Sequence, residues 1–162
     1  MAPWAVASVL MVAVGLLSDR IFAKTSNIRK SQIYVIAACQ LLSSICFLPL
    51  LFTGESNGTA ATICVTLGVG IGLANNAPYF TFCNMRFPSY AAQATGTMIW
   101  FFTVGFTCAP FITGYIMDHT SSFSGAFAVV IALLLSAVLV LMLFAFPDKE
   151  EVHIITRGTN KL

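Results

Sequence analysis

Charge is what this sequence lacks. Only 9% of its 162 residues are Asp, Glu, Lys or Arg, against 58% hydrophobic, and mean hydropathy is +0.89. A water-soluble domain carries roughly 25% charged residues, so this chain cannot cover a water-facing surface and belongs to the membrane class. The formal net charge of +2 is small and spread out, which excludes a nucleic-acid partner. The five cysteines, Cys39, Cys46, Cys64, Cys83 and Cys108, form no CxxC and have no His at ligand spacing. That excludes a metal centre or disulfide framework and reads them as buried thiols. His119 and His153 have no nucleophile and orienting group in spacing, and no carboxylate pair sits in an apolar stretch. No enzyme and no cofactor are expected. Gly68-Val-Gly70-Ile-Gly72 lacks the preceding strand and the wider spacing of a phosphate loop, and reads as a close-packing face.

What is there is long and apolar. After Arg29 and Lys30 the next charges are Glu55, Arg86, Asp118 and Asp148, leaving uncharged intervals of 24, 30, 31 and 29 residues. Each exceeds the roughly 20 residues a helix needs to cross hydrocarbon. In lipid the backbone must satisfy its own hydrogen bonds, and helix is the simplest way. The expected fold is therefore all-α and polytopic, with helices at about 2–17, 31–53, 60–84, 89–117 and 124–146. For the first of these a signal peptide is the competing reading, but no Lys or Arg precedes Arg20. Residues 53–59 and 118–122 read as turns. The segment 148–162 reads as a flexible polar tail.

Five helices put alternate connections on opposite sides. Segments 18–30, 85–88 and 148–162 share one side and hold Arg20, Lys24, Arg29, Lys30, Arg86, Lys149, Arg157 and Lys161, all 8 basic residues. Segments 54–59 and 118–123 hold none. The positive-inside rule makes the first side, and the C-terminus, cytoplasmic.

Gly15-Leu-Leu-Ser-Asp19 closes the first expected helix and Gly114-Tyr-Ile-Met-Asp118 the fourth, 99 residues and three helices apart. Three is odd, so the two copies sit on opposite faces, as in inverted three-helix repeats. Gly there would let helices approach closely. Each Asp either accepts from the N–H groups at a neighbouring helix N-terminus or caps the helix that follows it.

Gly15-Leu-Leu-Ser-Asp19-Arg20-Ile-Phe-Ala-Lys24 resembles the signature loop of the major facilitator superfamily, a Gly-x-x-x-Asp-Arg-x-Gly-Arg-Lys pattern. It departs at Phe22 and Ala23. The run Gly96, Gly105, Pro110, Gly114, Asp118 followed by Ser-Phe-Ser-Gly-Ala-Phe resembles helix eleven and the start of helix twelve in the organic anion:cation symporter branch, with Thr103 near where that branch often has Asn. The resemblance covers essentially the whole chain. It implies that the five helices are the eighth to twelfth, from the C-terminal six-helix bundle, with helix seven and the N-terminal half to be supplied upstream or by a complementing subunit.

No charge lies deep in any span, so a coupling carboxylate or substrate-binding Arg is expected in the other half. The polar candidates for lining substrate are Asn75, Asn76 and Tyr79 in the third helix and Trp100, Thr103 and Thr107 in the fourth. Interhelical hydrogen bonding is the competing role for the Asn pair. Gln40, on what the resemblance makes a peripheral helix, is expected to be structural. Pro49, Pro78 and Pro110 should kink their helices. The resemblance implies a carrier for a small organic anion, such as a sugar acid or carboxylate, working in the lipid bilayer by alternating access on a proton or sodium gradient. Gly15, Asp19, Arg20 and Lys24 would gate its cytoplasmic side. The rival is a truncated, non-transporting membrane protein or short isoform acting only with a partner.

The charge asymmetry predicts sidedness. In a Cys-free background, single cysteines at Asn27 and Thr159 should react with a membrane-impermeant maleimide from one face and Ser56 from the other. Labelling of Asn27 and Ser56 from the same face would refute the helix count.

Overall fold

The computed structural model describes residues 2–52, 58–120 and 123–144. Among them the chain is all-helical, and five stretches are long and apolar enough to cross a membrane: Pro3–Thr25, Lys30–Phe52, Gly58–Arg86, Pro88–Thr120 and Phe123–Leu143. Residues 53–57, 121–122 and the tail 148–162 lie outside the described residues, so most of the first expected turn falls there.

The first span is a single helix, α1 (Ala2–Thr25). It runs past the expected end at 17 and carries Asp19, Arg20 and Lys24 as helical residues rather than as a loop. Its stop signal comes later. Ser26 takes a left-handed φ of 47° and its N–H donates to Phe22 O at 2.7 Å, the single-bond left-handed cap that satisfies a terminal carbonyl. Lys24 in the last turn complements the dipole.

The second span opens with a π turn over Arg29–Ile33, continues as α2 (Tyr34–Phe47), and resumes after Leu48 as α3 (Pro49–Phe52). The third divides into α4 (Gly58–Ala74) and α5 (Asn76–Arg86). Both breaks precede a proline, whose ring and missing N–H disrupt the preceding turn. Pro110 differs: it lies inside the unbroken α6 (Ala91–Thr120), which follows a short 3-10 turn at Pro88–Tyr90. The fifth span is α7 (Phe123–Phe144).

The second span is the most enclosed of the five, not peripheral. It packs on α1, α4 and α7, and Ile33, Ile36 and Ala37 are buried there. Helix α6 lies at the other extreme, with no buried residue along its length. It touches α5 and α7 and leaves a broad face bare.

Glycines in α4 make the close contacts. A Cβ on Gly68 would stand 2.7 Å from the Phe47 ring, and one on Gly70 would stand 2.8 Å from Val6 Cγ1. Phe47 also stacks on Phe127 of α7, with centroids 6.1 Å apart. One ring therefore ties three spans together, and only a bare backbone leaves it room. The Gly68 carbonyl accepts from Ser43 Oγ at 2.8 Å, so a polar contact rides on the same approach. Gly15 follows the expectation, facing Ala77 Cβ at 3.5 Å, whereas Gly114 has nothing within 4 Å, because it lies on an exposed face of α6, turned away from the α7 contact at Ile116.

Gly70→Ala should lower stability by about 1–3 kcal/mol through overpacking, read as a thermal-melting shift in detergent. Val6→Ala in the same chain should restore most of the loss. Gly114→Ala should be neutral or slightly stabilising. Equal losses at 70 and 114 would show that the α1–α4 contact is not the tight one.

Candidate functional site

The third span breaks where its sequence turns polar. Asn75 sits between α4 and α5 with φ −62° and ψ −18°, so the chain direction is nearly kept while the hydrogen-bond ladder is not. The Asn75 N–H reaches Gly72 O at 3.4 Å, and Asn75 O accepts from Tyr79 N–H at 3.1 Å. Pro78 has no N–H to give to the Ala74 carbonyl. That carbonyl loses its helical donor at a residue that is 0% exposed.

Side chains gather at this break. Gln40 Nε2 of α2 donates to the Tyr79 hydroxyl at 3.0 Å, a direct polar link between the second span and α5. The Tyr79 N–H itself donates to the Asn75 carbonyl, so the side-chain bond ties the Gln40 amide to the first helical turn after the break. Gln40 and Asn75 are 7% and 4% exposed. Gln40 Oε1 and Asn75 Oδ1 are buried and have no hydrogen-bond partner. Each such orphan costs about 1–3 kcal/mol, and both are acceptors. The break and the turn after it are thus associated with two unpartnered amide oxygens, a carbonyl that Pro78 denies its helical donor, and a hydroxyl that accepts from Gln40.

Beyond Tyr79 opens a cavity of about 690 Å³ between α5, α6 and α7, lined by Tyr79, Met98, Phe102, Gly105, Phe106 and Leu133 among others. Its wall is almost wholly apolar. The Phe102 ring stands edge-on to Tyr79 at 6.3 Å, and Cys83 Sγ lies 3.7 Å from Met98 Sδ. The Tyr79 side chain is thus shared, its ring against the apolar wall and its hydroxyl in the polar cluster.

Of the expected substrate-lining residues, Asn75, Asn76 and Tyr79 lie together at the break, with Asn76 half-buried. Trp100 and Thr103 stand apart from them. Trp100 is 61% exposed with its ring against Phe101. The Thr103 hydroxyl turns back on its own helix to Ile99 O at 3.0 Å, as Thr107 does to Thr103 O. Both belong to the bare face of α6. Asp19, Arg20 and Lys24 are exposed at the end of α1, and Asp118 at the end of α6. Asp19 and Asp118 lie within helices, so neither is the cap of the helix that follows.

Gln40 is the residue whose place at the cluster the sequence did not announce. Its signal was present, a lone amide in an apolar run, but the partner is 39 positions away. A second cluster also went unread. Ser18 Oγ lies 2.8 Å from both Ser31 O and Gln32 Oε1, all three residues buried. It pins the C-terminal part of α1 to the π turn. One hydroxyl proton serves one of the two acceptors at a time, and Gln32 Nε2 has no partner.

Compared with protein-family models, curated proteins and solved structures, the chain matches none.

The Gln40–Tyr79 bond sets a double-mutant expectation. Tyr79→Phe strands the Gln40 amide entirely and should cost about 1–3 kcal/mol. Adding Gln40→Leu should recover most of it, since replacing both partners removes the desolvation cost. Chemical-denaturant unfolding in detergent micelles reads this, and simple additivity would show that the two side chains do not interact.

Proposed function

We propose that the chain is part of a secondary active transporter of the major facilitator type, carrying a small organic anion such as a sugar acid or carboxylate by alternating access on an ion gradient. The observation that carries this is the break in the third span, where buried amides gather in an otherwise apolar bundle. Transporters place their sites where spanning helices are interrupted, and a proline-interrupted hydrogen-bond ladder is tolerated in a membrane only where it lines a cavity or is buried in protein.

The bare face of α6 supports the same reading. Trp100, Thr103 and Thr107 are exposed on it, where a second bundle would enclose them together with Tyr79. The exposed Asp19, Arg20 and Lys24 at the end of α1 are free to latch against a helix from that bundle. The positive-inside asymmetry puts this end, and the C-terminus, in the cytoplasm. Gly114 and Asp118 would hold the corresponding place on the opposite face.

A second reading rests on the same bare face. Five helices that leave α6 without a buried residue do not close round a pathway. Taken alone, the chain would then be a non-transporting membrane protein that acts only with a partner.

Uptake by membrane vesicles carrying the protein, driven by an imposed sodium or proton gradient, separates the two. Asn75→Ala and Asn76→Ala should each cut uptake of the transported anion about tenfold or more at unchanged amounts in the membrane. Parallel loss of uptake and of membrane protein would assign the pair a structural role, and no gradient-driven uptake of any organic anion would favour the second reading.

A further inference from the structure

We infer that the break in the third span is a monovalent-cation site that takes Na⁺, with Asn75 Oδ1, Gln40 Oε1 and the Ala74 carbonyl as its protein ligands. The juxtaposition rests on three independent features. Asn75 and Gln40 are both more than nine-tenths buried and both carry an oxygen with no donor. Pro78 removes the helical donor of the intervening carbonyl. The Gln40–Tyr79 bond of 3.0 Å ties the α2 amide to the residue one helical turn after Asn75, whose carbonyl accepts from the Tyr79 N–H.

The chemistry of the set selects the occupant. All three ligands are neutral oxygens, the donors that hard cations prefer and that unwound transporter backbone presents to Na⁺. Amides and carbonyls do not titrate in the accessible range, so the site cannot hold a proton as a carboxylate would. A divalent ion would keep two charges in a buried setting with no carboxylate among the ligands, at a prohibitive desolvation cost. A soft metal would want thiolate or imidazole, and among the described residues no three His, Cys, Asp or Glu side chains converge. A single positive charge without a protein counter-charge is best neutralised by a bound anion close by. The link to transport therefore rests on the carrier reading above, with the cation and the organic anion raising each other's affinity. The ion site itself does not depend on it.

Binding of ²²Na⁺ to the full chain in lipid nanodiscs, followed by scintillation proximity, tests the assignment. Wild-type counts should be displaced by unlabelled Na⁺ at well below the concentration of K⁺ or choline that does the same. Asn75→Leu and Gln40→Leu should each weaken binding at least about tenfold. Asn75→Asp should tighten binding and make it pH-dependent, lost as the new carboxylate protonates. That gain cannot come from misfolding or from a purely structural role. No displaceable ²²Na⁺ in the wild type, equal displacement by K⁺, or an Asn75→Asp chain with unchanged affinity would overturn the proposal. Sodium binding without any anion transport would leave the site standing and remove the carrier reading. Anion transport with no sodium binding would do the reverse.

Discussion

A polar atom in the interior of a bilayer has no water to fall back on, and this constraint orders the whole chain. It forces the backbone into helices and draws Ser43 onto the Gly68 carbonyl. It also draws Ser18 onto the start of the second span and Gln40 onto Tyr79. Where the constraint is met, spans are locked together. Among the described residues it is left unmet at Gln32 Nε2 and Thr95 Oγ1 and, as a pair of acceptors, at Asn75 Oδ1 and Gln40 Oε1; the functional reading rests on that pair.

Close approach makes the locking possible. Without a hydrophobic driving force between helices in lipid, packing of small residues does the work. Gly68 and Gly70 take the Phe47 ring and the Val6 side chain at distances no Cβ would allow. That brings α2 near enough to α4 and α5 for its few polar side chains to reach. Helix α6 has no such contacts at Gly96, Gly105 or Gly114 and remains on the edge, with Thr103 and Thr107 bonded to their own backbone.

The helix count was legible because charge spacing and lipid thickness leave little choice, and each uncharged interval did become one span. Boundaries were less so. Asp19, Arg20 and Lys24 look like a loop when charge is taken as punctuation, yet an exposed charge at the membrane edge costs a helix nothing, and the stop is set by Ser26 two residues beyond Lys24. The tight face at Gly68–Gly72 could be read from glycine density. The looseness of Gly114 could not, since it depends on what stands opposite. At the site, Asn75 and Tyr79 were legible as polar residues in an apolar run, and Pro78 foretold the break. Their partner Gln40 was not, because a span's neighbours are a property of the bundle.

The claim on which the account turns is that this bundle is one side of a larger carrier. The size of the native polypeptide tests it most directly, by immunoblot of source membranes with an antibody against residues 148–162. The account predicts a band far above the chain's own 17.4 kDa, in the range of about twelve helices. A single band near 17.4 kDa, with no second protein co-purifying, would contradict it.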